Sequence, residues 1–476
     1  MEKKNNIPSI VDERRFLRVE NLDTMGRKRW NQIVSRSNKK MEEIMPIISS
    51  IVNAIRERGD KALLEYTEKF DHVKMPASRI IVKNSEIKDA YKKVNNENNK
   101  LIKYMQDSID CIRAYHEAEK SKYIGKLRKW EEPIKANSWK KDYERIKVGQ
   151  IYNSLKRIGL YVPGGNAVLF TTALMGITPA KVARVREIVV ASPPSRNGDI
   201  DPKIIVASDL AGADLIIRAG GSQAIAALAC GTKTIPKVDK IFGPGNIFVT
   251  ATKSYVASNG MCSIDFLAGP SEIVVIADQS ADAQLIARDM ISQSEHDINS
   301  CAILLTDSDA IAADVRRYIG IFLSDEGGSR TLNELAATSL SKYGAIIKVK
   351  HIHDAMNFSN DFAPEHLEIM TRNPGKWVNH IRNAGTVCLG IYSPVAISDY
   401  VCPNHILPTG GSARYASGIN MDMFFKKTSQ LKVSGNMMNS LKGMVAVLSD
   451  AEGLYNQHGL SVEARVDYIK RKRNKS

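Results

Sequence analysis

The chain has 476 residues, 43% of them hydrophobic and 25% charged, which is enough for several cores and excludes a disordered or fibrous class. No apolar run reaches the roughly 18 residues that a bilayer crossing needs, and the opening MEKKNNIPSIVDERRF has no apolar signal core. The net charge of +15 gathers partly in residues 26–40 and 470–475. No nucleic-acid-binding signature accompanies it, so it reads as a solvated tail plus attraction for an anionic cofactor.

The first stretch, to about Arg128, is helical in pattern. Apolar residues recur at helical spacing through 41–55, the pair Gly59-Asp60 interrupts, and Ala62-Leu63-Leu64-Glu65-Tyr66 resumes. Residues 84–114 are again amphipathic. These segments read as scaffold. Cys111, Cys230, Cys262, Cys301, Cys388 and Cys402 are scattered without a CxxC pair, so reduced thiols in a cytoplasm are expected.

From Arg157 short apolar runs alternate with small-residue helices. Ile158-Gly159-Leu160-Tyr161-Val162 ends in Pro163-Gly164-Gly165, and the run 187–192 is stopped by Pro193-Pro194. Residues 214–218 lead to Gly220-Gly221 and a helix over 222–230, and Lys240-Ile241-Phe242 leads to Gly243-Pro244-Gly245-Asn246. That is the grammar of a parallel sheet. Residues 272–277, 302–305 and 345–349 begin a second set. A GxGxxG fingerprint is absent, but three glycine turns after strands let backbone amides approach a phosphate-bearing ligand.

Candidate chemistry follows later in the chain. Residues 281–296 read as a helix that puts Gln293 and His296 three apart on one face. Asp399 and His405 fall in a loop between Pro394 and Pro408, and His458 follows the Gly453 break. Imidazole, carboxylate and amide donors from distant segments suit Zn²⁺ with an open position, though spacing alone does not assemble them. His351 and His353 would share one face of a strand and read as surface. Glu365-His366, after Pro364, has the look of a first helical turn, and an acid beside an imidazole can divide the proton transfers of an alcohol oxidation.

Read together, these segments resemble one family. They run in order as Leu160-Tyr161-Val162-Pro163-Gly164-Gly165, Gly221-Ser222-Gln223-Ala224-Ile225-Ala226-Ala227-Leu228, Ile235-Pro236-Lys237-Val238-Asp239-Lys240 and Gly243-Pro244-Gly245-Asn246-Ile247. After them stand Leu267-Ala268-Gly269-Pro270-Ser271-Glu272-Ile273, Ser292-Gln293-Ser294-Glu295-His296-Asp297, Ala363-Pro364-Glu365-His366-Leu367-Glu368 and Asn404-His405-Ile406-Leu407-Pro408-Thr409. This ordered set, covering nearly the whole chain, is similar to histidinol dehydrogenase.

The resemblance implies an α/β fold: two Rossmann-like parallel-sheet domains, a helical N-terminal piece and a small C-terminal domain. The limits expected are residues 1–58 for the helical piece, 59–160 with 274–420 for the first Rossmann-like domain, 161–273 for the second, which takes NAD, and 421–476 for the C-terminal domain. It implies a soluble homodimer with shared sites that oxidises L-histidinol to L-histidine by two hydride transfers to NAD. Zinc would be held by Gln293, His296, Asp399 and His458, the last reaching the other subunit's site. Glu365 and His366 would be the acid–base pair, Tyr161, Gln223 and Asn246 the NAD contacts. Ser271 and Glu452 would join the metal ligands and His366 in binding substrate.

Three departures fall near cofactor and substrate. Residues 166–172 lack the family's Pro and Ser after the first glycine turn, Ser398 stands where the family has Gly, and Glu452 and His458 are six apart rather than five. They keep open an alternative in which the same zinc and NAD machinery serves another small alcohol.

Overall fold

A computed structural model of the chain describes residues 17–34, 41–123, 129–133, 146–164, 168–324 and 329–474. Gly165, Asn166 and Ala167 of the first glycine turn, the opening 1–16, residues 35–40 of the basic stretch and 475–476 of the tail lie outside these. The chain divides into two compact units, one from the described residues of 1–119 and 155–424, the other from those of 120–154 and 425–476.

In chain order, β1 (Val19–Asn21) precedes the helices Arg27–Val34, Met41–Arg58, Asp60–Asp71, Asn84–Glu97 and Leu101–Tyr123. Next come β2 (Lys129–Pro133) and β3 (Ile146–Ser154), then β4 (Arg157–Tyr161), β5 (Glu187–Ser192), β6 (Leu215–Arg218), β7 (Lys240–Phe242) and β8 (Ser263–Ile264). The last five form a parallel sheet ordered β6-β5-β4-β7-β8. A second parallel sheet takes β9 (Glu272–Ala277), β10 (Cys301–Thr306), β11 (Ala345–Lys348), β12 (His366–Met370) and β13 (Thr386–Leu389), with β1 at its edge, in the order β1-β11-β10-β9-β12-β13. Apart from β1 the two sheets have one connectivity. In each, the first strand is central and the chain reverses direction beside it, between β4 and β7 or between β9 and β12.

Helices on both faces explain why the strands lack alternation. Glu272–Ala277 and Cys301–Thr306 are buried at every position, as expected where both faces of a parallel sheet are covered. On one face of the six-stranded sheet Ile273, Val275, Leu304 and Met370 pack with Ile286, Ala287 and Met290 of the helix Ala283–Ser294. On the other, Val274, Ile276, Leu367 and Ile369 meet Ala355, Met356 and Phe358 of the helix Ile352–Phe362.

The second unit is built from an antiparallel sheet, β14 (Phe425–Val433) pairing β3, which pairs β2, and the helices Gly435–Ala451 and Tyr455–Arg473. Among the described residues, no helix is long and apolar enough to cross a membrane.

Several local expectations change. Glu365-His366 does not open a helix: His366 is the first residue of β12, because the apolar run after it supplies a central strand and the left-handed Ala363 (φ 55°) ends the preceding helix. His351 and His353 are not on a strand, since His351 is the N-cap of Ile352–Phe362 and His353 lies in that helix. Asp399 sits in the short helix Val395–Tyr400 rather than a loop. His296 lies just beyond the helix Ala283–Ser294, whose C-cap is Glu295.

Residues 59–160 are also distributed differently from the limits expected. Ala62 and Leu63 of Asp60–Asp71 share a core with Val189, Ile217 and Leu228 around the five-stranded sheet, β2 and β3 belong to the antiparallel sheet, and β4 is central in the five-stranded one. Helical periodicity shows which face of a helix is buried, not which sheet buries it.

Candidate functional site

Two strands that flank the reversal in the six-stranded sheet build the first cluster. Glu272 heads β9 and His366 heads β12, with Glu365 just before it; they are 1%, 3% and 8% exposed, so every polar atom here needs a partner. The Glu272 N–H donates to Glu365 Oε2 (2.8 Å) and the Glu365 N–H donates back to Glu272 Oε2 (3.3 Å). Gly410 N–H donates to Glu272 Oε1 (2.9 Å), and the Gln293 amide nitrogen donates to Glu365 Oε2 (3.4 Å). His366 Nδ1 lies 3.2 Å from the Glu272 carbonyl oxygen and 3.5 Å from Glu365 Oε2.

A carbonyl oxygen can only accept, so Nδ1 carries the proton and the His366 lone pair is on Nε2. That atom is buried and has no partner among the described residues. Burial alone pulls the His366 pKa down, but the carboxylates of Glu365 and Asp399 and the Glu272 carbonyl outweigh it, and the net shift is upward from 6.5. The imidazole is therefore a strengthened base with its acceptor atom free for a reacting group.

Two further histidines repeat the arrangement. His296 Nδ1 bonds the Ser292 carbonyl (3.0 Å), and His405 Nδ1 bonds the Asp399 carbonyl (3.0 Å). Each leaves Nε2 as the free acceptor, the tautomer a metal-binding imidazole needs. Burial pushes the His405 pKa below its usual 6.5, although Asp399 pulls it up. Gln293 and His296 lie at the C-terminal end of Ala283–Ser294, where the helix dipole favours a cation.

Among the described residues no three His, Cys, Asp or Glu side chains converge as a metal cage. The expected set contributes only His296 and Asp399 of these types in this unit, with Gln293 as an amide. With the amide nitrogen of Gln293 turned to Glu365, its oxygen is left to accept. The donors present fit a divalent ion that completes its shell elsewhere.

The expected nucleotide contacts lie at the far ends of the five-stranded sheet. Tyr161 ends β4 and is buried, its hydroxyl accepts the Gly221 N–H (3.1 Å), and burial pushes its pKa up to about 12. Gln223 donates to Asp71 Oδ2 (3.0 Å). Asn246 caps Ile247–Ser258, accepting from Phe248 and Val249 N–H (3.0 and 3.1 Å). Gly243 is gripped at both ends: its N–H donates to Asp265 Oδ2 (2.8 Å), and its carbonyl accepts from Lys253 Nζ (2.9 Å). Lys253 and Asp265 are themselves a buried ion pair.

Gln293, Glu365 and His366 are thus joined by direct contacts, with Asp399 close enough to shift His366. Tyr161 and Gln223 flank one glycine turn. Ser271 is half-buried directly before Glu272. Glu452 and His458 belong to the second unit, Glu452 as the C-cap of Gly435–Ala451 and His458 in Tyr455–Arg473, both exposed. Ser398 spends its hydroxyl on the Val395 carbonyl (2.7 Å) inside its own helix. Sequence reasoning misses the parts played by Glu272, Asp71 and the Lys253–Asp265 pair. A carboxylate heading an all-apolar strand, as Glu272 does, is the one signal that could have found any of them.

The chain as a whole is similar to known proteins. The sequence model of the histidinol dehydrogenase family matches residues 34–466. A histidinol dehydrogenase of Clostridium acetobutylicum is 41% identical over 442 residues, 92% of this chain and 96% of that protein. One of Methanococcus maripaludis is 38% identical over 450 residues, 94% of this chain and 100% of that protein. The crystal structure of histidinol dehydrogenase from Elizabethkingia anophelis superposes with a TM-score of 0.85 at 32% identity, covering 96% of this chain and 99% of that one.

Proposed function

Because the chain belongs to the histidinol dehydrogenase family, we propose that it oxidises L-histidinol to L-histidine, a step of histidine biosynthesis, by two hydride transfers to NAD with the help of zinc. The observation that carries this reading is the buried His366, its Nδ1 fixed on the Glu272 carbonyl, its Nε2 free, and Glu365 alongside.

His366 Nε2 takes the proton of the carbinol. Glu365, held by the Glu272 N–H and the Gln293 amide, accepts a proton from water when the aldehyde is hydrated for the second oxidation. Ser271, with Glu452 of a second copy, would orient the substrate. Tyr161, Gln223 and Asn246 hold NAD at the carboxyl ends of the five-stranded sheet, the end at which such sheets take nucleotides. Gln293, His296 and Asp399 would hold zinc with His458 of a second copy in a soluble cytoplasmic homodimer; zinc supplies a Lewis acid that orients amine and imidazole, and NAD supplies the hydride acceptor. Burial of the pair favours retention of the aldehyde in the site until it is hydrated and oxidised a second time.

The test is turnover by the purified full chain with zinc, NAD and L-histidinol. Two NADH per L-histidine formed is the expected result. Absence of NADH with histidinol alongside turnover of another small alcohol would replace this reading with the alternative substrate.

A further inference from the structure

Two acidic side chains have no part in the chemistry above, yet they touch each of the elements that carry it. Glu368 is two residues beyond His366 on β12, so it points to the same face of the sheet, the face covered by Ala283–Ser294. Asp289 is four residues before Gln293 in that helix, one turn back on the same side. The two carboxyl groups are within hydrogen-bonding reach of each other. Glu368 Oε1 also accepts the N–H of Val395 (2.9 Å), the first residue of Val395–Tyr400 and four before Asp399. Asp289, Glu368 and Val395 therefore form a layer one step below Gln293, His366 and Asp399, drawn from the same strand and the same two helices.

Glu368 is 1% exposed, and its Oε2 has no donor among the described residues. Two facing carboxyls are both acceptors, so the contact requires one of them to keep its proton. Burial supplies that condition: it pushes both carboxyls of the pair above the ordinary carboxylate range. Cys388, the register partner of Glu368 on β13, stays a thiol for the same reason and adds no charge. His366, two residues back on the same face, opposes the rise, and Met290 and Met370 of the same core are apolar.

We propose that Asp289 and Glu368 are positioning residues for the dehydrogenase reaction: their contact, with the Glu368–Val395 hydrogen bond, fixes β12 and the two helices in the register at which Gln293, His366 and Asp399 meet. Neither acid touches substrate or cofactor. The inference rests on the function proposed above for those three residues.

The experiment compares Glu368→Gln and Glu368→Leu in the full chain, reading kcat and KM for L-histidinol and, separately, zinc affinity against a chromophoric chelator. Gln keeps an acceptor for Val395 and brings its own donor for Asp289, so it should stay within about twofold of wild type. Leu loses both contacts and should weaken zinc affinity about 10- to 100-fold, as loss of a supporting contact does, and lower kcat with it while KM for NAD stays put. Equal loss in both variants would overturn the proposal, since it would place the Glu368 charge in the chemistry. So would a folded Leu variant with unchanged zinc affinity and kcat. If the Leu variant fails to fold, Asp289→Ala, at a half-buried position, takes its place with the same readouts, and the same two outcomes would overturn the proposal. If wild type shows no histidinol turnover, the functional reading fails alone, and the zinc titration still decides the positioning role.

Discussion

The two parallel sheets share one strand order yet offer opposite edges to function. In the five-stranded sheet the candidate residues follow the strands: Tyr161 ends β4, Gly220-Gly221 follows β6, and Gly243 follows β7. In the six-stranded sheet they stand at the beginnings, Glu272 and His366 being the first residues of β9 and β12. The difference has an electrostatic sense. Strand carboxyl ends lead into helix N-termini, whose free N–H groups suit phosphate, whereas strand amino ends lie beside helix C-termini, which suit a cation. One connectivity, used from both ends, provides an anion-favouring edge and a cation-favouring edge in a single unit.

Breaking the cation-favouring edge should have the largest effect. His366→Ala removes the one buried free acceptor of the cluster, and kcat should fall about 10²- to 10⁴-fold. Zinc content, measured by metal analysis, should be unchanged, because His366 is not in the expected ligand set. Loss of metal would show that the imidazole is a ligand and not a base.

The anion-favouring edge should respond to Gly243→Ala. Gly243 has φ 110°, and a Cβ there would collide with the Tyr161 carbonyl oxygen. Displacing this turn should raise KM for NAD about 10- to 100-fold while zinc affinity stays at the wild-type value. A parallel loss of zinc would mean that the two edges are not independent.

The smallest effect is expected at Asp71, a carboxyl set among the residues of that same edge. Burial raises its pKa to about 6 from 3.8, with the Gln223 hydrogen bond opposing. Folding thus favours the protonated acid. Its contribution to stability is full below pH 3.8 and is lost as pH rises through 6. Melting curves at about pH 5 and about pH 7.5 should show wild type losing more than Asp71→Asn, by about 1 °C. An identical pH response would show that the carboxyl is not destabilised there.

Much of the fold is legible in the sequence where local chemistry decides. The strands β5 and β7 are apolar runs stopped by Pro193 and Gly243, β9 is an apolar run that gives way to Asp278, and all three appear within a residue of their expected limits. The glycine turns fall where a strand must hand over to a helix. Glu365-His366 is legible as an acid–imidazole pair but not as a strand start, because Pro364 suits the residue before either element. Glu272 and Asp71 are hidden for another reason. Their roles arise from pairings across 93 and 152 residues, and no local pattern announces such contacts. The sharing of residues 59–160 among sheets is non-local in the same way.

The three-residue strand β1 lies along the outer side of β11, pairing Val19, Glu20 and Asn21 with Ile346, Ile347 and Lys348. Without it, β11 would present an open row of backbone donors and acceptors flanked by Ala345, Ile346 and Ile347, a template onto which another extended chain could add. This segment therefore serves as a guard against self-association. Damage to it would be felt first as lost solubility, with the chemistry of each surviving molecule intact.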